Sequence, residues 1–184
     1  MPSLNSNVLG FSIVNSLMAM AGVSGVYMLV GIQQLRVHDI LDESVVKVGL
    51  EANDKEECFE EMIDLLVRAG RLSDRAGALQ AIRDREEKVS TGIGKGIAVP
   101  HSKHRSIETL TMALGVSAKG IEFDAVDDRP VHVVFLLLAR ADEPGPHVQA
   151  LAEIGRLVQT AGFYRKLVAA TSAKQALAII GEEE

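Results

Sequence analysis

The run Val133-Val-Phe-Leu-Leu-Leu138 sets the strongest limit on how this chain folds. Six apolar residues in succession leave no polar face to turn toward water. As a strand, such a run is buried on both sides and needs a covering layer above and below it. The flanking sequence supplies candidate layers. Phe59, Met62, Ile63, Leu66 and Val67 recur at helical spacing and stop at Gly70, with Asn53 and Glu56 placed as a capping box at the start. Ser73 is the expected cap of a second helix that turns Ala76, Leu79 and Ile82 inward and ends in the charged run Arg83–Lys88. Leu110, Met112, Leu114 and Val116 alternate with small or polar residues, the period of a half-buried strand. Pro144-Gly-Pro146 opens a helix through Val148, Leu151, Ile154, Leu157 and Val158, ending near Gly162, and Ser172 caps a last short helix running to Ile180. Strands interleaved with helices predict an α/β domain whose sheet is covered on both faces.

Composition narrows the function. The 184 residues carry 19 Lys+Arg against 25 Asp+Glu, so the chain as a whole lacks the basic footprint of a DNA-binding domain. Aromatic residues are only 4% of the chain and Trp is absent, which argues against stacking platforms for single-stranded nucleic acid. Cys58 is the single cysteine; it excludes an internal disulfide and any multi-cysteine zinc site, and fits a reducing compartment. Its place among apolar helix positions makes it a small core residue.

Charge is distributed unevenly. Residues 1–35 contain no Asp, Glu, Lys or Arg, and the first charge is Arg36. The division expected is therefore an uncharged apolar extension, 1–34, and a domain, 35–184. Val8–Ile32 is long enough to span a bilayer, but Ser12, Asn15, Ser16, Ser24 and four glycines dilute it, and no basic residue precedes it as in a secretory signal. The reading preferred is an extension that packs on a neighbour or lies upstream of the true start, with Met18, Met20 and Met28 as alternative starts. A lone membrane anchor is the other reading, and the only one that implies membrane contact.

The chemistry is concentrated in Thr91-Gly-Ile-Gly-Lys-Gly-Ile-Ala-Val-Pro-His101. Three alternating glycines allow positive φ or the close approach of another group. They match neither Gly-x-x-x-x-Gly-Lys-Ser/Thr nor a Gly-x-Gly-x-x-Gly that enters a helix, because Ile97-Ala-Val99 reads as a strand. Taken alone, the glycines describe a bulged strand edge. Pro100 ends that strand and places His101 where strand gives way to loop. Imidazole is the side chain that is neutral and nucleophilic near pH 7. A phosphoryl group on it would need cationic or N–H partners, and Lys95, Lys103, Arg105 and the more distant Arg85 are available in sequence. An inert loop histidine is the bland alternative, and composition alone does not separate the two.

The segment resembles the phosphorylation-site motif of the enzyme IIA proteins of the bacterial phosphotransferase system, type 2. This is the fructose/mannitol class, which includes the nitrogen-regulatory IIA proteins. The resemblance runs from about Leu35 to Ile180 and rests on three features in order: Arg85-Glu86, the glycine motif ending at His101, and Pro144-Gly-Pro-His147 after the apolar run. It implies a mixed β-sheet flanked by helices on both faces, the mannitol-specific IIA fold. It implies that His101 accepts phosphoryl through Nε2 from phosphorylated HPr and passes it to a IIB domain in trans or to a regulatory target. His147 would then face the group across the pocket and Arg85 would supply a planar fork for its oxygens. Gly94, Lys95, Gly96 and Ser102 are expected to border it. Ser102 departs from the family's Gly or Ala and bears on fine geometry and rate.

A transfer between two imidazoles requires no cofactor and no obligatory metal, and no nucleic-acid partner is expected. His101 and His104 would need further ligands, such as His147, to hold zinc, so no metal site is assigned. His132 reads as a packed, hydrogen-bonded strand residue, and His38 has no chemical neighbours in sequence. Asp127-Asp-Arg-Pro130 reads as a turn between strands. The expected function is a cytoplasmic phosphohistidine carrier of the sugar phosphotransferase system. The alternative is a regulatory phosphoprotein that binds targets according to its phosphorylation state. A scaffold without the chemistry is disfavoured by the joint presence of Arg85, His101 and His147.

Overall fold

The computed structural model describes residues 35–184; the expected extension, with the alternatives for Val8–Ile32, lies outside the described residues. In chain order the elements are α1 (Val37–Ile40), a single 3-10 turn (Glu43–Val45), β1 (Val46–Val48), α2 (Lys55–Arg68), α3 (Arg75–Glu86), β2 (Gly92–Gly94), β3 (Ile97–Ala98), β4 (His101–Lys103), β5 (Thr111–Ile121), β6 (Val131–Ala139), α4 (Pro144–Leu157), α5 (Phe163–Val168) and α6 (Ala173–Glu182). Six strands form one mixed sheet in the order β1-β5-β6-β3-β2, with β4 also paired to β6. β1 runs parallel to β5, β5 antiparallel to β6, and β6 parallel to both β3 and β4.

The apolar run is the middle of β6, and Val133 to Leu138 are all fully buried. Each such side chain contributes about 1.5–3 kcal/mol relative to exposure. β5 differs from the half-buried strand expected from its alternation. Thr111 to Ser117 are buried without a break, because β5 lies between β1 and β6 rather than at an edge, and its small residues accept close packing. A Cβ on Gly115 would lie 2.6 Å from Leu50 and 2.7 Å from Met62 Sδ, so this glycine lets α2 approach the sheet. α3 covers the same face, where Ser102 Oγ donates to the Ala81 carbonyl at 2.9 Å. Side chains alternate along a strand, so Val99 and His101 turn to the opposite face, toward Leu151 and Ile154 of α4. Phe59 of α2 meets Phe123 edge-on, with centroids 5.6 Å apart.

Two of the three predicted caps lie one residue further along the chain than expected. Asp54, not Asn53, caps α2 by accepting from Glu57 N–H, and the Glu57 carboxylate returns to Asn53 N–H at 2.8 Å. Asp74, not Ser73, caps α3 by accepting from Gly77 N–H at 2.9 Å. The one-residue shift of α3 turns Ala78 inward and leaves Ala76 outside, while Leu79 and Ile82 are buried as expected. Val67 and Val148 lie on the solvent side of their helices, at 36% and 61% exposure. The cap at Ser172 is as expected. Cys58 is fully buried, and burial, with Glu61 and Asp54 nearby, pushes its thiol up to about 12. His132 is half-buried, with Nδ1–H donating to the Ser117 carbonyl at 2.9 Å.

Candidate functional site

β3 and β4 are one line of chain with a gap. Ile97 pairs with Val133 and His101 with Leu137, a constant offset along β6. The gap falls at Val99-Pro100 because proline has no N–H to offer the ladder, while the Pro100 carbonyl still accepts from Leu137 N–H at 2.9 Å. His101 is therefore not on a loop, as its place after a proline suggested. It opens a strand tied to the most deeply buried strand of the domain.

The imidazole is half-buried, and its Nδ1 lies 2.8 Å from the Val99 carbonyl. A carbonyl only accepts, so Nδ1 carries the proton of the neutral ring and Nε2 keeps the lone pair. Burial lowers the pKa of this ring and the Arg85 guanidinium adds to the effect, whereas the Val99 carbonyl and Glu86 oppose it. The ring is thus held toward the neutral form.

His147 sits in the first turn of α4, where two prolines begin the helix without using N–H groups that the first turn leaves unpaired. It is buried, and its ring centroid is 5.5 Å from that of His101 at a tilt of 53°. Its Nδ1 has no hydrogen-bond partner among the described residues. Burial, then His101, Lys103 and Arg85, depress its pKa from 6.5 to about 4. Arg85, in the last turn of α3, donates from a guanidinium nitrogen to the Val89 carbonyl at 3.1 Å, which anchors the side chain beside the pair.

These residues line a hollow of about 380 Å³ together with Ala81, Asp84, Lys88, Ser102 and Lys103. A second hollow of about 290 Å³ shares the His101 ring and is walled by Ile93, Val99, Leu151 and Ile154. The site is polar and cationic on one side of the histidine and apolar on the other. Such a hollow offers an anion three cationic side chains beside a neutral nucleophile. Among the described residues no three His, Cys, Asp or Glu side chains come together as a metal requires. His104 turns away from the pair: its Nδ1 accepts from Ser106 Oγ at 2.7 Å and its Nε2 lies 3.8 Å from Asp74.

Of the residues named from sequence, His101, His147, Arg85 and Ser102 converge. Gly94, Lys95 and Gly96 do not. They form the turn between β2 and β3, with φ of 83°, 56° and 77°. The Gly96 carbonyl accepts from Val133 N–H, whereas His101 pairs with Leu137, about 13 Å further along β6 at the usual strand rise. Lys95 N–H donates to Asp127 at 2.8 Å, and a Cβ on Gly96 would lie 2.6 Å from Tyr164 Oη. The glycines thus serve a tight irregular hairpin, and the expectation that they border the reacting group is corrected. Lys88 was missed, although its spacing of three from Arg85 on a helix end was a usable signal. The Val99 carbonyl was missed too, and no side-chain pattern announces a backbone acceptor.

Comparison with known proteins gives the class. The model of the family "Phosphoenolpyruvate-dependent sugar phosphotransferase system, EIIA 2" matches residues 39–183. The chain belongs to this family. Two relatives are fructose-specific components. The EIIA component of Haloferax volcanii is 38% identical over 128 residues, covering 70% of this chain and 83% of the relative. The EIIABC component of Bacillus subtilis is 32% identical over 150 residues, covering 82% of this chain but only 24% of that longer protein. Among solved structures, the nitrogen regulatory protein IIA-Ntr of Neisseria meningitidis superposes with a TM-score of 0.72 at 30% identity, over 78% of this chain and 98% of its own. The enzyme IIA for mannitol of Escherichia coli, solved in complex with phosphorylated enzyme IIB, superposes with a TM-score of 0.67 at 23% identity, over 77% of this chain and 97% of its own, and shares the fold. Among the described residues no helix is long and apolar enough to cross a membrane.

Proposed function

We propose that the protein is a phosphohistidine carrier of the sugar phosphotransferase system, with Nε2 of His101 as the acceptor of phosphoryl from phosphorylated HPr and a IIB domain as the recipient. The observation that carries this reading is the Nδ1–H···O=C contact to Val99, which leaves a neutral ring with its lone pair on Nε2. As Nε2 bonds to phosphorus, the P–N bond of the donor breaks and its electron pair stays with the donor imidazole. The His101 ring gains positive charge in the same step, and the Val99 carbonyl stabilises it through Nδ1–H. Arg85, Lys88 and Lys103 offset the charge of the incoming oxygens, and His147 faces the group without bonding to it covalently. HPr chemistry makes this a cytoplasmic domain and a phosphotransferase. The similarity to the Haloferax fructose EIIA supports a sugar role.

A regulatory role is the second reading, favoured by the superposition on IIA-Ntr. It uses the same acceptor and a different recipient. The test is incubation with phosphoenolpyruvate, enzyme I and HPr, followed by a fructose-type IIB. The expected result is one acid-labile, base-stable phosphoryl group on His101, absent in His101→Ala and discharged by IIB. Labelling that persists in His101→Ala would refute the acceptor, and a stable label in the presence of IIB would favour regulation.

A further inference from the structure

Glu86 follows Arg85 in α3 but turns the other way, into the domain, where it is 7% exposed. A buried carboxylate is costly unless its oxygens are used. One oxygen, Oε2, accepts from Thr91 N–H at 3.0 Å and from Thr91 Oγ1–H at 2.6 Å. The other, Oε1, makes no hydrogen bond within the described residues and lies 3.6 Å from Lys55 Nζ. Thr91 is itself buried, and its carbonyl accepts from Val99 N–H at 2.9 Å. The Val99 carbonyl then accepts from His101 Nδ1–H at 2.8 Å.

Three links therefore join the Glu86 carboxylate to the His101 ring, each a donor meeting an acceptor with the polarity continuing in one direction. We infer that Glu86 is a positioning residue for phosphoryl transfer: through Thr91 it holds Val99 in place, and through the Val99 carbonyl it fixes His101 as the Nδ1–H tautomer with Nε2 facing the hollow. This inference rests on His101 being the acceptor. Val99 needs such a hold because it lies at the gap between β3 and β4, where the ladder to β6 is interrupted. The Thr91 carbonyl accepts from Val99 N–H, and the carboxylate fixes Thr91 by its N–H and its side chain together. The negative charge acts in the same sense as the hydrogen bonds, since Glu86 favours the cationic ring that forms as Nε2 takes up phosphorus.

The test compares Glu86→Ala, Glu86→Gln and Glu86→Asp by two readouts. Long-range ¹H–¹⁵N NMR of the unphosphorylated protein reports the His101 tautomer, whether or not HPr is a partner. Single-turnover transfer from phosphorylated HPr reports the rate. Glu86→Ala should give a mixed tautomer and a transfer rate lower by about 10²-fold, the scale of a mispositioned reacting group. Glu86→Gln keeps an acceptor for Thr91; it should restore the Nδ1–H signature and recover most of the rate. A merely structural carboxylate would not separate the tautomer from the fold in this way. If Glu86→Ala fails to fold, Glu86→Asp decides: it keeps the charge but falls short of Thr91, and should shift the tautomer. A folded Ala or Asp variant with the parent tautomer and the parent rate overturns the inference. A shifted tautomer without any labelling of the parent by HPr would instead refute the acceptor reading and leave the positioning network standing.

Discussion

His147 should resist protonation, and the cost of protonating it can be read as lost stability. Burial, reinforced by His101, Lys103 and Arg85, holds this ring at about 4, against 6.5 for a free histidine. The difference corresponds to about 3 kcal/mol in favour of the neutral ring. The sign follows from proton counting. Between about pH 6.5 and pH 4 the unfolded chain binds a proton here that the folded chain does not, so unfolding free energy falls as pH falls through that window. Above it the ring contributes no pH dependence, and below it the loss is complete. The His101 ring is displaced in the same direction and adds to the trend. Two measurements check this. An NMR titration should place the His147 midpoint well below 6. Urea unfolding at pH 7 and at pH 4 should show that His147→Gln, with nothing to titrate, loses about 2–3 kcal/mol less than the parent. A His147 midpoint near 6.5, or equal losses in the two proteins, would refute the reasoning. Phosphorylating His101 replaces a neutral ring by a group of close to two negative charges, and should raise the His147 midpoint.

Arg85→Lys keeps the charge but loses the fork and the anchored geometry at Val89, so phosphoryl transfer from HPr should slow by tenfold or more, on the order of one to two hydrogen bonds to a charged group, in single-turnover assays. Gly96→Ala puts a Cβ 2.6 Å from Tyr164 Oη at a φ of 77°, and should lower stability by about 1–3 kcal/mol in urea titrations. It should leave His101 labelling intact wherever the domain is folded, because the turn lies at the far end of β6 from His101.

What the sequence made legible follows the reach of side-chain pattern. The apolar run from Val133 to Leu138 led to the central strand, because six residues without a polar face have one solution in water. The three-part motif brought His101, His147 and Arg85 into view, and they meet although far apart in the chain. The glycines misled for a physical reason: Gly-x-Gly-x-Gly describes backbone freedom, and the same freedom serves an anion cradle or a tight hairpin. Caps moved by one residue because Asn53 and Asp54, or Ser73 and Asp74, are adjacent residues of equal capping chemistry, and only the packing of the helix face decides between them. The half-buried reading of β5 failed because small residues such as Ala113 and Gly115 look solvent-tolerant in a pattern while being packed in the fold. The Val99 carbonyl was beyond reach altogether, since every residue carries the same backbone acceptor.

The offset along β6, unbroken from Ile97 to Lys103, has a consequence for traffic. If His101 is the phosphoryl acceptor, an acceptor built into a sheet cannot swing from one visitor to another, as a histidine on a mobile arm would. With Nδ1 engaged by the Val99 carbonyl, one ring nitrogen is left, so under the proposed function donor and recipient would have to use the same berth in turn. Arrival of the recipient waits on departure of the donor, and an excess of either should slow delivery to the other. As a carrier the protein would then work as a turnstile, with the abundance of its two visitors setting the flow through it.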